Sequence, residues 1–215
     1  MTRFAILLGG DLVVTPRLSR QLAGARVIAA DSGMRHAAAL GVTPELWTGD
    51  FDSVEEGLRA YHADIPMEIF PPEKDQTDGE IAVEAALKRG ARELVLVGAF
   101  GGERADHAYL HLAAALRLAE QGIGCLLTGG VQEAVPLLPG KETAFDFEDG
   151  TPFSVLAFSD LEGLSLSGAK WPLDGRFVAF GSSLTLSNEV RGSLGARLVS
   201  GRALVLARPA SHYTL

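Results

Sequence analysis

Cysteine is almost absent: Cys125 stands alone among 215 residues, so no internal disulfide can form and the chain reads as one made for a reducing compartment. That thiol lies in an apolar run, Ile123 to Leu127, and reads as a small core residue. Long apolar runs are also missing. The N-terminal stretch Phe4–Leu8 is cut by Gly9-Gly10-Asp11, too early for a signal segment, and no run reaches the length of a membrane span. A cytoplasmic location with no membrane partner is therefore expected. There is no Lys/Arg cluster, and 19 basic against 27 acidic side chains leave a formal net charge of -8, which excludes a duplex nucleic-acid partner of the usual basic kind. Neither Gly-x-Ser-x-Gly nor a Walker phosphate loop occurs, so nucleophile-elbow hydrolysis and ordinary P-loop chemistry are excluded.

What is present is a chain rich enough to fold. Hydrophobic residues make up 47% and charged residues 21%, sufficient for a sizeable core. Twenty-five glycines supply sharp turns and places where backbone approaches a ligand. A surface of this charge repels an anionic nucleotide at long range. One that binds needs a local device: a metal, a helix N-terminus or a few placed cations.

Short apolar runs predict strands over Phe4–Leu8, Val27–Ala30, Leu46–Gly49, Met67–Phe70, Glu93–Val97 and Gly124–Leu127, with amphipathic segments between them. Thr15-Pro16 reads as an N-cap with a first-turn proline. Ser53 to Glu56 and Thr77 to Glu80 both have the capping-box spacing. Gly90 and Gly122 stand where two helices should end. Strand–helix alternation predicts an α/β domain with a doubly wound, mostly parallel sheet and helices on both faces. Near Pro139-Gly140 the helical period disappears. Alternating stretches follow at 152–158, 163–168, 176–181 and 183–188, and Ser200-Gly201 between two more runs predicts a hairpin. The expected organisation is an α/β domain over 1–139 and an all-β domain, a small β-sandwich, over 140–215.

In an open parallel sheet, ligands bind beyond the carboxyl ends of the strands. Five successive predicted strand ends carry Gly9-Gly10-Asp11, Asp31-Ser32-Gly33, Gly49 to Ser53, Lys74 to Asp78, and Gly98 to His107, mostly Asp and Gly on one edge. Asp50 and Asp52 are two apart, about 6.6 Å along an extended chain and on one side of it. Carboxylates that close repel unless a cation lies beside them, and hard oxygen donors suit Mg²⁺. An Asx turn capped by Ser53 would account for the same pair; Asp31 and Asp78 on neighbouring strand ends favour the metal. Thr77 caps a helix whose free N–H groups face phosphate, with Lys74 as a point charge and Arg104 as a clamp on phosphate oxygens. His107 and His111 are four apart but lack the glutamate of the metalloprotease pattern; His107 is expected at a helix start near the site and His111 in packing.

The blocks Ala30-Asp31-Ser32-Gly33, Gly49-Asp50-Phe51-Asp52-Ser53, Lys74-Asp75-Gln76-Thr77-Asp78, Gly101-Gly102-Glu103-Arg104-Ala105-Asp106-His107, Gly168 to Leu173 and Ser187-Asn188-Glu189 together resemble the thiamine pyrophosphokinase family, in order and across both halves. The resemblance implies transfer of the diphosphate of ATP to the hydroxyl of thiamine, with Mg²⁺ as cofactor. It implies that Asp50, Asp52 and Asp78 are catalytic and hold the metal, with Asp31 close by. Gln76, Thr77, Arg104 and Asp106, with Asp31 and Lys74, would line the ATP and phosphate channel. Trp171, Ser187 and Asn188 would reach thiamine, with Trp171 supplied by the partner in a homodimer whose sites lie between subunits. A cationic thiazolium against an aromatic face is sound physics. Either Asp78 or Asp52 would take the alcohol's proton.

Two departures stand out: Ser32 where many members have glycine, and Glu103 as an extra residue before Arg104. Two other readings compete: a diphosphokinase for another alcohol such as a hydroxymethyl pterin, and a non-catalytic nucleotide or thiamine sensor.

Overall fold

The structure, a computed structural model, describes residues 2–52, 54–73 and 75–209. It has two compact units. The first holds residues up to His111 together with Gly122–Gly130; the second holds Leu112–Gln121 and Val131 onward.

In the first unit six strands run parallel: β1 (Arg3–Leu7), β2 (Arg26–Ala30), β3 (Leu46–Gly49), β4 (Met67–Ile69), β5 (Glu93–Val97) and β6 (Gly124–Thr128). Their order in space is β6-β5-β1-β2-β3-β4. Burial dictates the composition of the central strands. Phe4, Ile6 and Leu7 of β1, Ile28 of β2 and Leu94 and Leu96 of β5 are essentially inaccessible, as strands covered on both faces require. Truncating one such leucine to alanine costs about 2–5 kcal/mol.

The helices are α1 (Pro16–Leu22), α2 (Ala37–Leu40), α3 (Glu56–Tyr61), α4 (Asp78–Lys88) and α5 (Ala105–Glu120), with a 3₁₀ turn over Asp31–His36 before α2. Thr15 caps α1 by accepting from Leu18 N–H at 3.1 Å. Thr77 and Glu80 form the reciprocal capping box expected at α4, at 3.3 and 3.1 Å. The box expected at Ser53 meets a different structure. Ser53 lies outside the described residues, and α3 begins at Glu56 behind Glu55, which caps with no side-chain bond. Among the described residues no helix is long and apolar enough to cross a membrane.

The second unit is strand-rich: β7 (Glu133–Leu137), β8 (Glu142–Ala144), β9 (Pro152–Ala157), β10 (Leu161–Ala169), β11 (Leu173–Val178), β12 (Asn188–Arg197) and β13 (Ala203–Ala207). Every pairing among them is antiparallel, in the order β11-β10-β12-β9-β13-β7 with β8 against β12. Phe153, Val155, Leu161, Leu164, Leu166, Val190, Leu194 and Val205 form its core.

The hairpin expected at Ser200-Gly201 does not form. β12 and β13 are separated by β9, and the connecting segment turns aside to β10: Val199 N–H donates to Glu162 O at 3.0 Å and Glu162 N–H to Ser200 O at 3.0 Å. The stretch 183–188 alternates like a strand yet is built of turns up to residue 187, β12 beginning only at Asn188. Thr185 is buried there and donates through its hydroxyl to Val155 O at 2.7 Å, a local bond that competes with ladder pairing.

Candidate active site

Strand order decides where a ligand can sit. From β1 the chain proceeds to β2, β3 and β4 on one side, then returns to place β5 on the other. The reversal between β1 and β5 opens a crevice beyond their carboxyl ends. A cavity of about 690 Å³ lies there. Leu8 to Asp11 after β1, Ala30 to Ser32 with Arg35 after β2, Thr77 to Gly79 at the start of α4, Gly98, Ala99 and Gly101 to Arg104 after β5, and His107, Ala108 and His111 of α5 form its wall.

Backbone bonds lock the two central loops together. Gly10 N–H donates to Gly98 O at 3.0 Å, Asp11 N–H to Phe100 O at 2.8 Å, and Gly102 N–H to the Asp11 carboxylate at 3.0 Å. Gly101 has φ 66°, and a Cβ there would lie 2.1 Å from Asp11 Oδ2, so no other residue fits this turn unchanged. Gly33 is equally constrained: a Cβ would meet the Leu7 carbonyl oxygen at 2.1 Å.

Three carboxylates converge at the same edge. Asp31, Asp50 and Asp78, all half-buried, each offer an oxygen within 4.8 Å of the others. In an octahedron with bonds of about 2.1 Å, neighbouring ligands lie about 3.0 Å apart and opposite ones about 4.2 Å. Oxygens within 4.8 Å of one another are close to that range, and an all-carboxylate donor set of three leaves positions for phosphate and water. The residues fit a hard divalent cation.

Asp52 is not in this trio. It is exposed, and its N–H donates to Asp50 Oδ1 at 3.3 Å. The extended-chain spacing that put Asp50 and Asp52 on one side does not hold, because Phe51 between them has φ 60° and buries its ring. Asp31 has φ 43°. With Ser187 at φ 59°, these are the non-glycine residues in the left-handed region among the described residues, and all three fall within the blocks singled out by sequence. Such conformations cost about 1–3 kcal/mol each and persist where the surroundings over-determine them.

Of the other residues expected to meet phosphate, Thr77 lines the cavity and caps α4, while Lys74 lies outside the described residues. Gln76 is exposed and donates to Glu84. Arg104 grips Asp106 through two bonds of 3.0 and 2.7 Å, both side chains facing solvent. That fork holds the Asp106 carboxyl well below the ordinary range and raises Arg104. A second cavity cation, Arg35, was missed. It donates to the carbonyls of Gly9 and Gly10, the latter at 3.2 Å, and its sequence gives no cue beyond following Asp31 by four. Two histidines fasten the loops around the cavity, His111 among them although packing was its expected role. His111 lines the cavity, donates through Nδ1 to Ala99 O at 3.1 Å, and is lowered by burial; His36 donates to Gly10 O at 3.0 Å and is lowered for the same reason. Burial thus favours the neutral ring in both, and a neutral His111 bonded through Nδ1 keeps Nε2 as an acceptor.

In the second unit Asn188 is buried and its amide brackets the backbone of Trp171. Its Oδ1 accepts from Trp171 N–H at 3.1 Å and its Nδ2 donates to Trp171 O at 2.8 Å. The Trp171 ring is 55% exposed and carries Lys170 Nζ over one face at 4.8 Å. Ser187 is exposed and fixed by its N–H bond to Ser154 Oγ at 3.0 Å.

The first unit is thus an α/β unit of the kind that takes its ligand at the reversal of strand order, with an acidic cluster and glycine loops around the pocket. Comparison with known proteins narrows this. The thiamin pyrophosphokinase catalytic-domain model matches residues 21–127, and the model of the same family's vitamin B1 binding domain matches residues 143–200. A thiamine pyrophosphokinase of Bacillus subtilis is 29% identical over 184 residues, 84% of this chain and 86% of its own. A crystal structure of thiamine pyrophosphokinase from that organism superposes with TM-score 0.85 at 26% identity, covering 97% of this chain and 100% of the other. A thiamin pyrophosphokinase structure from Geobacillus thermodenitrificans gives 0.77 at 26% identity, with both chains covered in full. The Candida albicans structure, at 11% identity, shares the fold at 0.81, covering 96% and 90%. The chain belongs to the thiamin pyrophosphokinase family, a family of diphosphotransferase enzymes.

Proposed function

We propose that this chain transfers the diphosphate of ATP to the hydroxyl of thiamine, giving thiamine diphosphate and AMP, with Mg²⁺ at the acidic cluster. The observation that carries the reading is the convergence of Asp31, Asp50 and Asp78 beside a glycine-walled cavity at the reversal of strand order. Asp50, Asp52 and Asp78 remain the proposed catalytic and metal-holding set, with Asp31 as a further ligand that the geometry recommends. Mg²⁺, when bound, offsets phosphate charge.

The chain's own residues do the rest. The N–H groups at the start of α4 and the loops at Gly10 and Gly101 present donors to phosphate. Arg35, Arg104 and Lys74 add cations, and Gln76, Thr77 and Asp106 line the channel. The thiamine oxygen attacks the β-phosphorus, the bond from that phosphorus to the α,β-bridging oxygen breaks, and AMP departs. The alcohol's proton passes to the carboxylate of Asp78 or Asp52. Such transfers depend on alignment and charge neutralisation more than on covalent help.

Thiamine recognition falls to Trp171, Ser187 and Asn188. Trp171 already carries one cation on its face, which supports a second, the thiazolium, on the other. Asn188 serves by holding Trp171 in place. The proposed architecture is a doubly wound α/β domain over 1–139, with helices on both faces, that binds ATP. A small β-sandwich over 140–215 binds thiamine and forms a homodimer with sites between subunits, in the cytoplasm. Exposed Phe177, Phe180, Leu184 and Leu186 on that part support an interface.

The test mixes two inactive variants, Asp50→Asn and Trp171→Ala, under conditions of subunit exchange. Shared sites give mixed dimers with one intact site, so activity returns to roughly a quarter of wild type at equal amounts. No recovery despite demonstrated exchange contradicts shared sites. Turnover of a hydroxymethyl pterin but not thiamine contradicts the substrate.

A further inference from the structure

Two of the left-handed residues stand at the acidic cluster: Asp31, one of its members, and Phe51, immediately after Asp50. Neither conformation is self-supporting in an L-residue. One side chain touches both turns. Trp47, on β3, is fully buried, and its indole N–H donates to the backbone carbonyl of Asp31 at 2.8 Å. Its ring meets the Phe51 ring edge to face, with centroids 5.0 Å apart and planes at 77°. It therefore ties the end of β2 to the end of β3, the two strand ends that carry Asp31 and Asp50.

The arrangement has an economical chemical reading. An indole has one donor and no acceptor, so a buried tryptophan must find one carbonyl. Any backbone oxygen would satisfy it; the one it has is that of a strained cluster residue. Three carboxylates within 4.8 Å also repel one another, and without restraint their turns would relax apart. A rigid aromatic wedge bonded to one turn and packed edge to face against the other opposes that relaxation.

We propose that Trp47 is a positioning residue for the cation site, holding Asp31 and Asp50 in converging orientation before any ligand arrives. The inference rests on the reading of Asp31, Asp50 and Asp78 as cation ligands. Trp47→Phe keeps an aromatic edge against Phe51 and removes the N–H.

The readout is Mn²⁺ binding followed by the electron paramagnetic resonance of the free ion, with and without a non-hydrolysable ATP analogue. Trp47→Phe should weaken binding roughly three- to tenfold, the worth of one buried hydrogen bond. Leu166→Ala, a core lesion in the second unit, should lower thermal stability and leave Mn²⁺ affinity unchanged. Unaltered affinity in folded Trp47→Phe, with binding lost in Asp50→Asn, overturns the proposal and spares the metal reading. Absence of binding to wild type in both conditions overturns the metal reading itself.

A second measurement needs no variant. The chain has two tryptophans, Trp47 and Trp171, hence two indole N–H signals in a ¹⁵N spectrum. One, from buried Trp47, should resist hydrogen exchange and shift on Mg²⁺ titration with the midpoint of metal binding. A protected indole signal indifferent to Mg²⁺ overturns the proposal even if Trp47→Phe fails to fold.

Discussion

Asp50→Asn separates what the cluster does for catalysis from what it costs the fold. Asp50 shares two carboxylate pairs, with Asp31 and with Asp78, whose oxygens approach within 4.8 Å. At that distance a pair of unit charges repels by about 0.9 kcal/mol in water and about 3.5 kcal/mol at an effective dielectric of 20. Half-buried groups lie toward the weaker limit, and salt screens further, so removing one charge relieves about 1–2 kcal/mol in the metal-free protein. Asparagine keeps Oδ1 to accept from Asp52 N–H. In a protein of this size that is a rise of about 3–6 °C in melting temperature. The same change removes a metal ligand and should lower the rate at least a hundredfold, about 2.7 kcal/mol of transition-state stabilisation. Calorimetry in EDTA and in Mg²⁺ makes the comparison: the variant melts higher in EDTA and gains less from Mg²⁺ than wild type. A lower melting temperature in EDTA, or near-normal turnover, refutes the reasoning.

Three further outcomes follow from the geometry. Gly101→Ala forces a Cβ toward Asp11 at a positive φ, and should weaken ATP binding at least tenfold by calorimetric titration while costing only about 1–2 kcal/mol of stability at this exposed turn. Arg104 holds Asp106 below the ordinary carboxylate range, so the pair's small contribution is fully present above about pH 4 and fades only as pH falls through the lowered value. By carbon NMR, Asp106 stays charged at about pH 3 in wild type and titrates in the ordinary range in Arg104→Gln. Burial pushes the Cys125 thiol up to about 12, so alkylation at neutral pH should be slow until denaturant is added, and fast labelling of the native protein contradicts its burial.

The parallel sheet was legible because its strands are short apolar runs bounded by Gly and Asp, and all six lie within a residue or two of where periodicity put them. The capping box at Thr77 was legible because its chemistry is local. The second unit was harder to read. Alternation at 183–188 looks like a strand, yet the Thr185 hydroxyl and the left-handed Ser187 turn the chain; β12 and β13 look like a hairpin, yet β9 inserts between them. Insertion of a strand from far away leaves no mark in the neighbouring sequence. The acidic cluster was half legible. Four aspartates at strand ends pointed to the place, but the position of Asp52 outside the Asp31, Asp50 and Asp78 trio follows from Phe51 at φ 60°, which spacing arguments treat as extended. The sequence gives no sign of the roles of Arg35 and Trp47, because these are made by contacts between neighbouring strand ends, 25 and 16 residues apart in the chain.

The central claim is transfer from the β-phosphorus of ATP to thiamine, and the nucleotide product decides it. Purified protein is incubated with ATP, Mg²⁺ and thiamine, and the products are separated and identified. AMP and thiamine diphosphate in equal amounts, dependent on Mg²⁺, are the expected result. ADP with thiamine monophosphate, or no thiamine-dependent nucleotide product, would contradict it.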